Sequence, residues 1–170
     1  KFQGEEVIRS AGISHLILRT AWVYGLHGQN FLKTMLRLMT ERESVGIVND
    51  QFGAPTWSRM IAEATALIIA QSMRNGSMDL GERSGTYHLT CAGMTTWFGF
   101  AEKIRALGMA GGYLDASAAS LRAITTEEYP TPARRPAYSV LNNQRLIEAF
   151  GIALPAWEDA LALCLEAKNP

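Results

Sequence analysis

The sequence is poor in residues that form cross-links or hold metal ions. Cys91 and Cys164 are the only cysteines, too few for a disulfide framework or a four-thiolate zinc site. We therefore predict two reduced, buried thiols and a cytoplasmic location. None of the three histidines has a second ligand at helical spacing, so no metal site is predicted. These histidines are His15, His27 and His88.

Long apolar runs and an excess of one charge are also missing. The longest apolar run, 62–70, is interrupted by Glu63 and Thr65 and falls short of the about 20 residues that cross a bilayer. Sixteen basic residues balance sixteen acidic residues. Because nucleic-acid binding needs clustered positive charge, this balance argues against it. We expect neither a membrane nor a nucleic acid among the partners.

The signature loops of two common enzyme classes are absent. The sequence contains no Gly-x-Ser-x-Gly nucleophile elbow and no glycine-rich phosphate loop. These 170 residues by themselves are therefore not expected to bind a dinucleotide. The composition, 48% hydrophobic and 19% charged, is that of an ordinary globular chain with a core.

Short apolar runs alternate with stretches of helical periodicity, which indicates the α/β class. Strands are predicted at 15–19, 45–48 and 86–90. Helices are predicted after an Asn30 cap, after Pro55, after Thr95 or Thr96 with an end at Gly108, and at 144–150 and 155–167. Segment 73–85 is predicted to be an exposed connection, 110–123 is ambiguous, and the proline-rich 129–136 is predicted to be extended.

One tryptophan lies where α/β proteins bind ligands. Trp22 follows the first predicted strand closely, and ligands of open α/β sheets sit outside the carboxyl ends of strands. Its indole could pack on a flat ring, either a sugar or a nicotinamide. The alternative is a plug in the core beneath the next loop, and position alone slightly favours that alternative.

Two further segments carry polar groups suited to a ligand. Loop 49–56 offers an acid, amides, Gly and Pro before a helix, and the alternative is a plain capped loop. Arg134 and Arg135 lie between Pro132 and Pro136 in an extended stretch. Their guanidinium groups suit a diphosphate, and the alternative is pairing with nearby surface acids.

Four segments taken together resemble one enzyme family. They are Leu-Arg-Thr-Ala-Trp-Val-Tyr-Gly at 18–25, Gly-Gln-Asn-Phe-Leu-Lys-Thr-Met-Leu at 28–36, Asn-Asp-Gln-Phe-Gly-Ala-Pro-Thr at 49–56 and Tyr-Pro-Thr-Pro-Ala-Arg-Arg-Pro at 129–136. Their order and spacing resemble the dTDP-4-dehydrorhamnose reductases of the extended short-chain dehydrogenase/reductase family. The resemblance covers essentially all 170 residues. It implies an α/β fold that is the carboxyl part of an NAD(P)-binding Rossmann-like enzyme, with a mixed α/β substrate-binding lobe.

The start of the chain matches the second half of this family's catalytic signature, Tyr-x-x-x-Lys followed by Gly-Glu. Lys1 matches the lysine, so the tyrosine is expected four residues earlier. By this resemblance 1–170 is one incomplete unit that lacks the amino-terminal dinucleotide-binding half. Approximately 1–29 and 85–108 would belong to the Rossmann sheet and its helices, and approximately 30–84 and 109–170 largely to the substrate-binding lobe.

The resemblance also implies a reaction. NADPH or NADH would reduce the C4 ketone of dTDP-4-dehydro-L-rhamnose to give dTDP-L-rhamnose for cell-surface polysaccharide, and this chain alone would be inactive. Lys1 would be catalytic and would hold the cofactor together with Thr20 and Ala21. The implied substrate-binding residues are Trp22, Asn30, Gln51, Gly53, Ala54, Pro55, Thr56, Arg134 and Arg135.

One departure from the family concerns metal. Some relatives carry a Glu three residues after Gly-Ala-Pro-Thr that takes part in a Mg²⁺ site at a dimer contact. Here that residue is Arg59, a cation that cannot ligate Mg²⁺, so no such metal-linked dimer is expected, while another homodimer stays open. Two alternatives also stay open: a regulatory subunit like the methionine adenosyltransferase β chain, and a reductase or epimerase for another nucleotide sugar.

Overall fold

A computed structural model describes residues 1–133 and 135–166. The helices are α1 (Phe2–Ser10), α2 (Phe31–Glu41), α3 (Ser58–Ser72), α4 (Trp97–Ala110), α5 (Gln144–Phe150) and α6 (Trp157–Glu166), with a 3-10 turn at Gly81–Arg83. The strands are β1 (Leu16–Arg19), β2 (Val23–Tyr24), β3 (Ser44–Val48), β4 (Phe52–Gly53), β5 (Thr56–Trp57), β6 (Met73–Arg74), β7 (Ser77–Met78), β8 (Gly85–His88), β9 (Thr95–Thr96) and β10 (Ser120–Ile124). In the described ranges, no helix has the length and apolar character needed to cross a bilayer.

Two parallel strand pairs form the regular sheet structure. Strand β1 pairs with β8, with Arg19 opposite His88, and β3 pairs with β10, with Ile47 opposite Ala123. Shorter pairs join β2 to β5 in parallel and β4 to β9 in antiparallel, and β6 and β7 form a small hairpin. The β2–β5 and β4–β9 pairs bring together the segment after β1, the loop after β3 and the start of α4.

The larger apolar core is built around α4, which packs against α2, α6, β3 and β10. Phe100, Ala101 and Ile104 of α4 are fully buried at the spacing of one helix face. Cys91 and Cys164 lie in this core as free thiols, which confirms the prediction that they are buried. Burial raises the pKa of Cys164 to about 12, so this thiol stays protonated near neutral pH.

A smaller core joins α3 and α5 to one face of the β1–β8 pair. Ile68 of α3 and Phe150 of α5 pack in it with Tyr87 of β8, whose ring meets Phe150 edge-on. Leu154 packs against both cores. The division of the segments between a nucleotide-binding and a substrate-binding part stays a prediction.

The predicted strand at 45–48 and the helix at 144–150 are confirmed, the strand predicted at 86–90 is present as β8 but ends at His88, and four other details refine or differ from the prediction. Helix α4 continues past Gly108, where a β-carbon would lie 3.0 Å from Leu114 Cδ1, so this glycine serves close packing rather than a helix end. Helix α6 begins at Trp157, not at Pro155. Segment 73–85 contains a hairpin and a 3-10 turn. Segment 110–123, whose secondary structure the sequence leaves ambiguous, leads into β10. The partner of β10 is β3, which is distant in sequence.

Candidate functional site

The chain leaves β1 through a strained turn at Trp22. The φ angle of Trp22 is 50°, in the left-handed region that is unfavourable for a bulky side chain. The backbone N–H of Thr56 donates to the Trp22 carbonyl at 3.1 Å, and β2, which follows at once, pairs with β5. Strain of this kind is found preferentially at functional sites, and here it lies at the carboxyl end of a parallel strand.

The Trp22 indole is held by another aromatic ring and by a glycine. Trp97, the first residue of α4, stacks on it with ring centroids 3.6 Å apart and planes 6° from parallel. A β-carbon at Gly53 would lie 2.2 Å from Trp22 Cε2, so only glycine permits this approach. Trp22 is half-buried, so part of this residue stays accessible to solvent.

The side-chain amide of Gln51 is buried and forms two hydrogen bonds inside the protein. Its Oε1 accepts from Trp97 Nε1 at 3.3 Å, and its Nε2 donates to Thr126 Oγ1 at 3.0 Å. Asp50 beside it accepts from the backbone N–H and the hydroxyl of Thr126. These hydrogen bonds from Thr126 hold the pKa of Asp50 below its ordinary value. Gln51 therefore ties the predicted binding loop to Trp97.

The last three residues of loop 49–56 are buried. They are Ala54, Pro55 and Thr56. The Thr56 hydroxyl donates to the Ala54 carbonyl at 3.1 Å and accepts from the Cys91 backbone N–H at 3.3 Å. These two hydrogen bonds fix the backbone next to Gly53, which lies against the Trp22 ring. A direct substrate contact from these three residues stays a prediction.

Asn30 acts as a helix cap. Its Oδ1 accepts from the Lys33 backbone N–H at 3.3 Å, and its backbone is extended, as expected at this position. Its Nδ2 donates to the carbonyls of Gly25 at 2.8 Å and His27 at 3.2 Å, which closes the loop before α2. The predicted cap is confirmed, whereas a substrate contact from Asn30 stays a prediction.

The segment after the proline-rich stretch returns to the same loop. The backbone N–H of Phe52 donates to the Ala137 carbonyl at 2.7 Å, and the Ser139 N–H donates to the Phe52 carbonyl at 2.9 Å. Arg135, two residues before Ala137, is exposed and therefore accessible to an anionic ligand. Arg134 lies outside the described residues.

Helix α1 runs antiparallel to β1, which sets the position of Lys1. The Arg19 Nε at the carboxyl end of β1 donates to Glu5 at 3.0 Å, while Arg9, one turn later, donates to Thr86 Oγ1 at 3.3 Å. The hydrogen bond from Arg19 is the main reason that the pKa of Glu5 lies below its ordinary value. Lys1 lies one turn before Glu5 and is exposed, and its contact with a cofactor stays a prediction.

Comparison with known protein families decides the assignment. Residues 1–169 match the family described as the RmlD substrate binding domain. The chain belongs to this family. Among curated proteins, it is 48% identical over 166 residues to the dTDP-4-dehydrorhamnose reductase of Burkholderia thailandensis, covering 97% of this chain and 55% of the relative. The corresponding reductase of Escherichia coli K12 is 40% identical over 158 residues, covering 93% and 51%.

Solved structures support the same assignment. A dTDP-4-dehydrorhamnose reductase from Clostridium acetobutylicum superposes with a TM-score of 0.84 at 32% identity, covering all of this chain and 54% of that one. The NADP complex of the Bacillus anthracis reductase gives 0.81 at 30% identity, covering 99% and 54%. The resemblance to this family and the predicted Rossmann-like α/β fold are thereby confirmed. The chain spans about half the length of the relatives that it matches.

Arg59, the residue that the family resemblance singled out for the absence of Mg²⁺, lies at the start of α3. Its Nε donates to Glu63 Oε1 at 2.7 Å, and its guanidinium carbon lies 5.6 Å from the Trp57 ring centroid. Over residues 1–133 and 135–166, no group of three or more His, Cys, Asp or Glu residues is placed to hold a metal ion. That this family member works without Mg²⁺ stays a prediction.

Nothing in the sequence singles out Trp97, which lies at the start of the helix predicted after Thr95 or Thr96. The helix start was predicted, because Thr96 is a good cap. The pairing of β4 with β9 places that helix start beside Gly53 and Trp22, and these short strands leave no periodic signal in the sequence.

Proposed function

We propose that the protein carrying this chain reduces the C4 ketone of dTDP-4-dehydro-L-rhamnose to dTDP-L-rhamnose, with NADPH or NADH as the hydride donor, and that this chain supplies its substrate-binding part. The names of the relatives support the proposal, because the 48%-identical relative is a dTDP-4-dehydrorhamnose reductase. These relatives do not favour the regulatory-subunit alternative.

The observation that carries the proposal is the indole of Trp22 at the carboxyl end of β1. The chain accepts a φ of 50° there and keeps a glycine at Gly53 beneath the ring. Such an arrangement is costly for a residue that only fills space, since strained backbone costs about 1–3 kcal/mol. An indole held at this place suits the apolar face of a deoxysugar ring.

The same end of β1 fits a nicotinamide cofactor. The ammonium of Lys1 and the hydroxyl of Thr20 are donors of the kind that bind ribose hydroxyls, and Ala21 lets a flat ring approach the backbone. When bound, NADPH or NADH supplies the hydride. Lys1 also lowers the pKa of the tyrosine expected upstream, so that its hydroxyl can give a proton to the ketone oxygen. The exposed Arg135 suits the diphosphate of the substrate.

The proposal extends to the setting of the enzyme. We propose a cytoplasmic protein, because both thiols are free and buried, as in a reducing compartment. We also propose that, where the protein forms a homodimer, no Mg²⁺ bridges its two copies, because Arg59 cannot ligate the ion. Size-exclusion chromatography with light scattering, with and without a chelator, measures the assembly directly. A dimer that dissociates in the chelator would contradict this part.

An assay of NADPH and NADH oxidation by the full-length protein with dTDP-4-dehydro-L-rhamnose tests the reaction, with the 170-residue chain as an inactive control. We expect Trp22→Ala to raise KM for the sugar nucleotide about tenfold or more, because indole anchors dominate binding energies. We expect Lys1→Met to lower kcat about 100-fold through the loss of proton-transfer assistance.

The exposed Lys33 of α2 offers a matched control, since Lys33→Met removes an equal charge from a side chain to which the resemblance assigns no role. Absence of turnover by a folded full-length protein that binds NADPH would overturn the proposal. Turnover of a different nucleotide sugar, with none of this one, would replace it by the other-sugar alternative.

A further inference from the structure

Trp97 lies outside every residue set that the family resemblance assigns to the site, yet it is the closest aromatic contact of Trp22. The near-parallel stack covers one face of the Trp22 indole. The stack thereby fixes the plane of the Trp22 indole, and with it the orientation in which the uncovered part of that ring would contact a ligand. The orientation of Trp22 thus depends on how firmly Trp97 itself is held.

Trp97 is fixed from three directions. The hydroxyl of Thr96, which caps α4, accepts from the Gly99 N–H at 3.0 Å and donates to Asn49 Oδ1 at 2.6 Å, which anchors the helix start to the loop after β3. The ring of Phe31 lies 4.7 Å from the Trp97 ring, centroid to centroid. The third constraint is the hydrogen bond from Trp97 Nε1 to Gln51 Oε1.

The hydrogen bond to Gln51 continues into a chain of polar contacts. Gln51 donates to Thr126, and the Thr126 hydroxyl donates to Asp50 Oδ1 at 2.6 Å. Both Oε1 and Nε2 of Gln51 have a hydrogen-bond partner, so rotation of the amide would break at least one of these two hydrogen bonds. The indole plane of Trp97 is therefore set by the fold itself and not by a ligand.

We propose that Trp97 is a positioning residue, which sets the plane of Trp22 and so the orientation of the hexose ring of the nucleotide sugar. The inference rests on the proposed function, because it takes that sugar as the ligand of Trp22. Trp97 acts through Trp22 and need not touch the substrate. Its loss should weaken substrate binding more than it slows the chemical step.

Circular dichroism of the full-length protein tests the geometry without any activity. Two indoles stacked this closely couple their far-ultraviolet transitions, and the coupling gives a circular dichroism couplet when the two rings are rotated relative to each other within their parallel planes. Trp22→Phe and Trp97→Phe should each remove the same couplet, whereas Trp157→Phe, at a buried indole elsewhere in the core, should leave it. A couplet that survives either of the first two variants would overturn the proposal.

Kinetics and binding test the positioning role. We expect Trp97→Leu to raise KM for the sugar nucleotide, and the Kd of dTDP-L-rhamnose measured by calorimetry, about 3- to 10-fold, the range of an aromatic pair. Trp97→Phe, which keeps a flat ring but loses the hydrogen bond to Gln51, should recover only part of that loss. In both variants kcat should change less than twofold.

The thermal midpoint separates positioning from a general role in stability. Trp157→Phe should lower the midpoint while leaving KM unchanged. An unchanged KM in Trp97→Leu, with the wild type active, would overturn this inference alone. Binding of dTDP-L-rhamnose by a wild type that shows no turnover would overturn the proposed reaction alone, and the Kd series would still decide the role of Trp97.

Discussion

The indole of Trp22 passes so close to Gly53 that a β-carbon there would lie 2.2 Å from Cε2 and 2.5 Å from Nε1 of the ring. Gly53 has no positive φ, so conformational freedom is not why glycine is needed. The reason is space: the backbone of β4 at Gly53 lies directly against the Cε2, Nε1 and Cζ2 atoms of the indole. This contact makes the position of Trp22 sensitive to a single methyl group.

We expect Gly53→Ala to displace Trp22 and to raise KM for the sugar nucleotide about tenfold, because misplacement of a binding group by a fraction of an ångström weakens its interaction. Steady-state kinetics of the full-length protein measure the change. Gly4→Ala is the matched control, since nothing lies within 4 Å of a β-carbon there and Gly4 is inside α1. It should stabilise the helix slightly and leave KM unchanged. Equal KM values in both variants would show that Trp22 does not contact the substrate.

Asn30→Ala should lower the free energy of unfolding by about 1–2 kcal/mol, because it removes an N-cap together with two bonds that close the preceding loop. Urea denaturation measures the loss. Asn30→Asp keeps the acceptor for Lys33 but loses the donor to Gly25 and His27, so its cost should be smaller. An equal loss of unfolding free energy in Asn30→Asp and Asn30→Ala would mean that the hydrogen bonds to Gly25 and His27 contribute more than the cap bond from Lys33.

Tyr24→Phe should leave the protein equally stable or more stable by about 1 kcal/mol, since it removes a buried polar group without a partner. Among the described residues, the Tyr24 hydroxyl is the buried side-chain oxygen or nitrogen that lacks a hydrogen bond. Burial, aided by the nearby Cys164 and Cys91 thiols, raises the pKa of Tyr24 above its ordinary value. The comparison is again a urea denaturation midpoint.

The control for this prediction is Tyr87→Phe. The Tyr87 hydroxyl is also in the core region, but it donates to the Arg83 carbonyl at 2.7 Å. Its removal should destabilise the protein by about 1 kcal/mol. A clear loss of stability in Tyr24→Phe would mean that the Tyr24 hydroxyl has a partner, such as water.

Asp50 should contribute to stability in a pH-dependent way. Its pKa is lowered in the folded state, so its contribution is complete above its pKa in the unfolded chain, about 3.9, and is lost as the pH falls through the lower folded value. Asp50→Asn should therefore be less stable than the wild type at pH 7, with the difference shrinking on acidification. Denaturation midpoints between neutral pH and about pH 3 measure this. A difference that does not vary with pH would contradict the ionic nature of the Thr126 contact.

The alternation of strand and helix signals was enough to predict the α/β class, because apolar runs of strand length and helical periodicity are local properties. The same is true of the caps: residue type predicted Asn30 as one cap and Thr95 or Thr96 as another, and in the structure Asn30 and Thr96 cap helices. Lys1 could be singled out only through the resemblance to a family signature. Whether the predicted site residues contact substrate or cofactor stays a prediction.

What the sequence by itself determined is therefore the fold class, the Asn30 helix cap and the candidate position of Trp22 after a buried strand. Only the tertiary structure decided that Trp22 meets Trp97 and Gly53, that Gln51 is committed to an internal hydrogen-bond chain, and that Ala54 to Thr56 are buried. These contacts join segments that are far apart in the chain through strand pairs of two residues. Pairs so short carry no periodicity, and their register comes from the packing of whole helices around them.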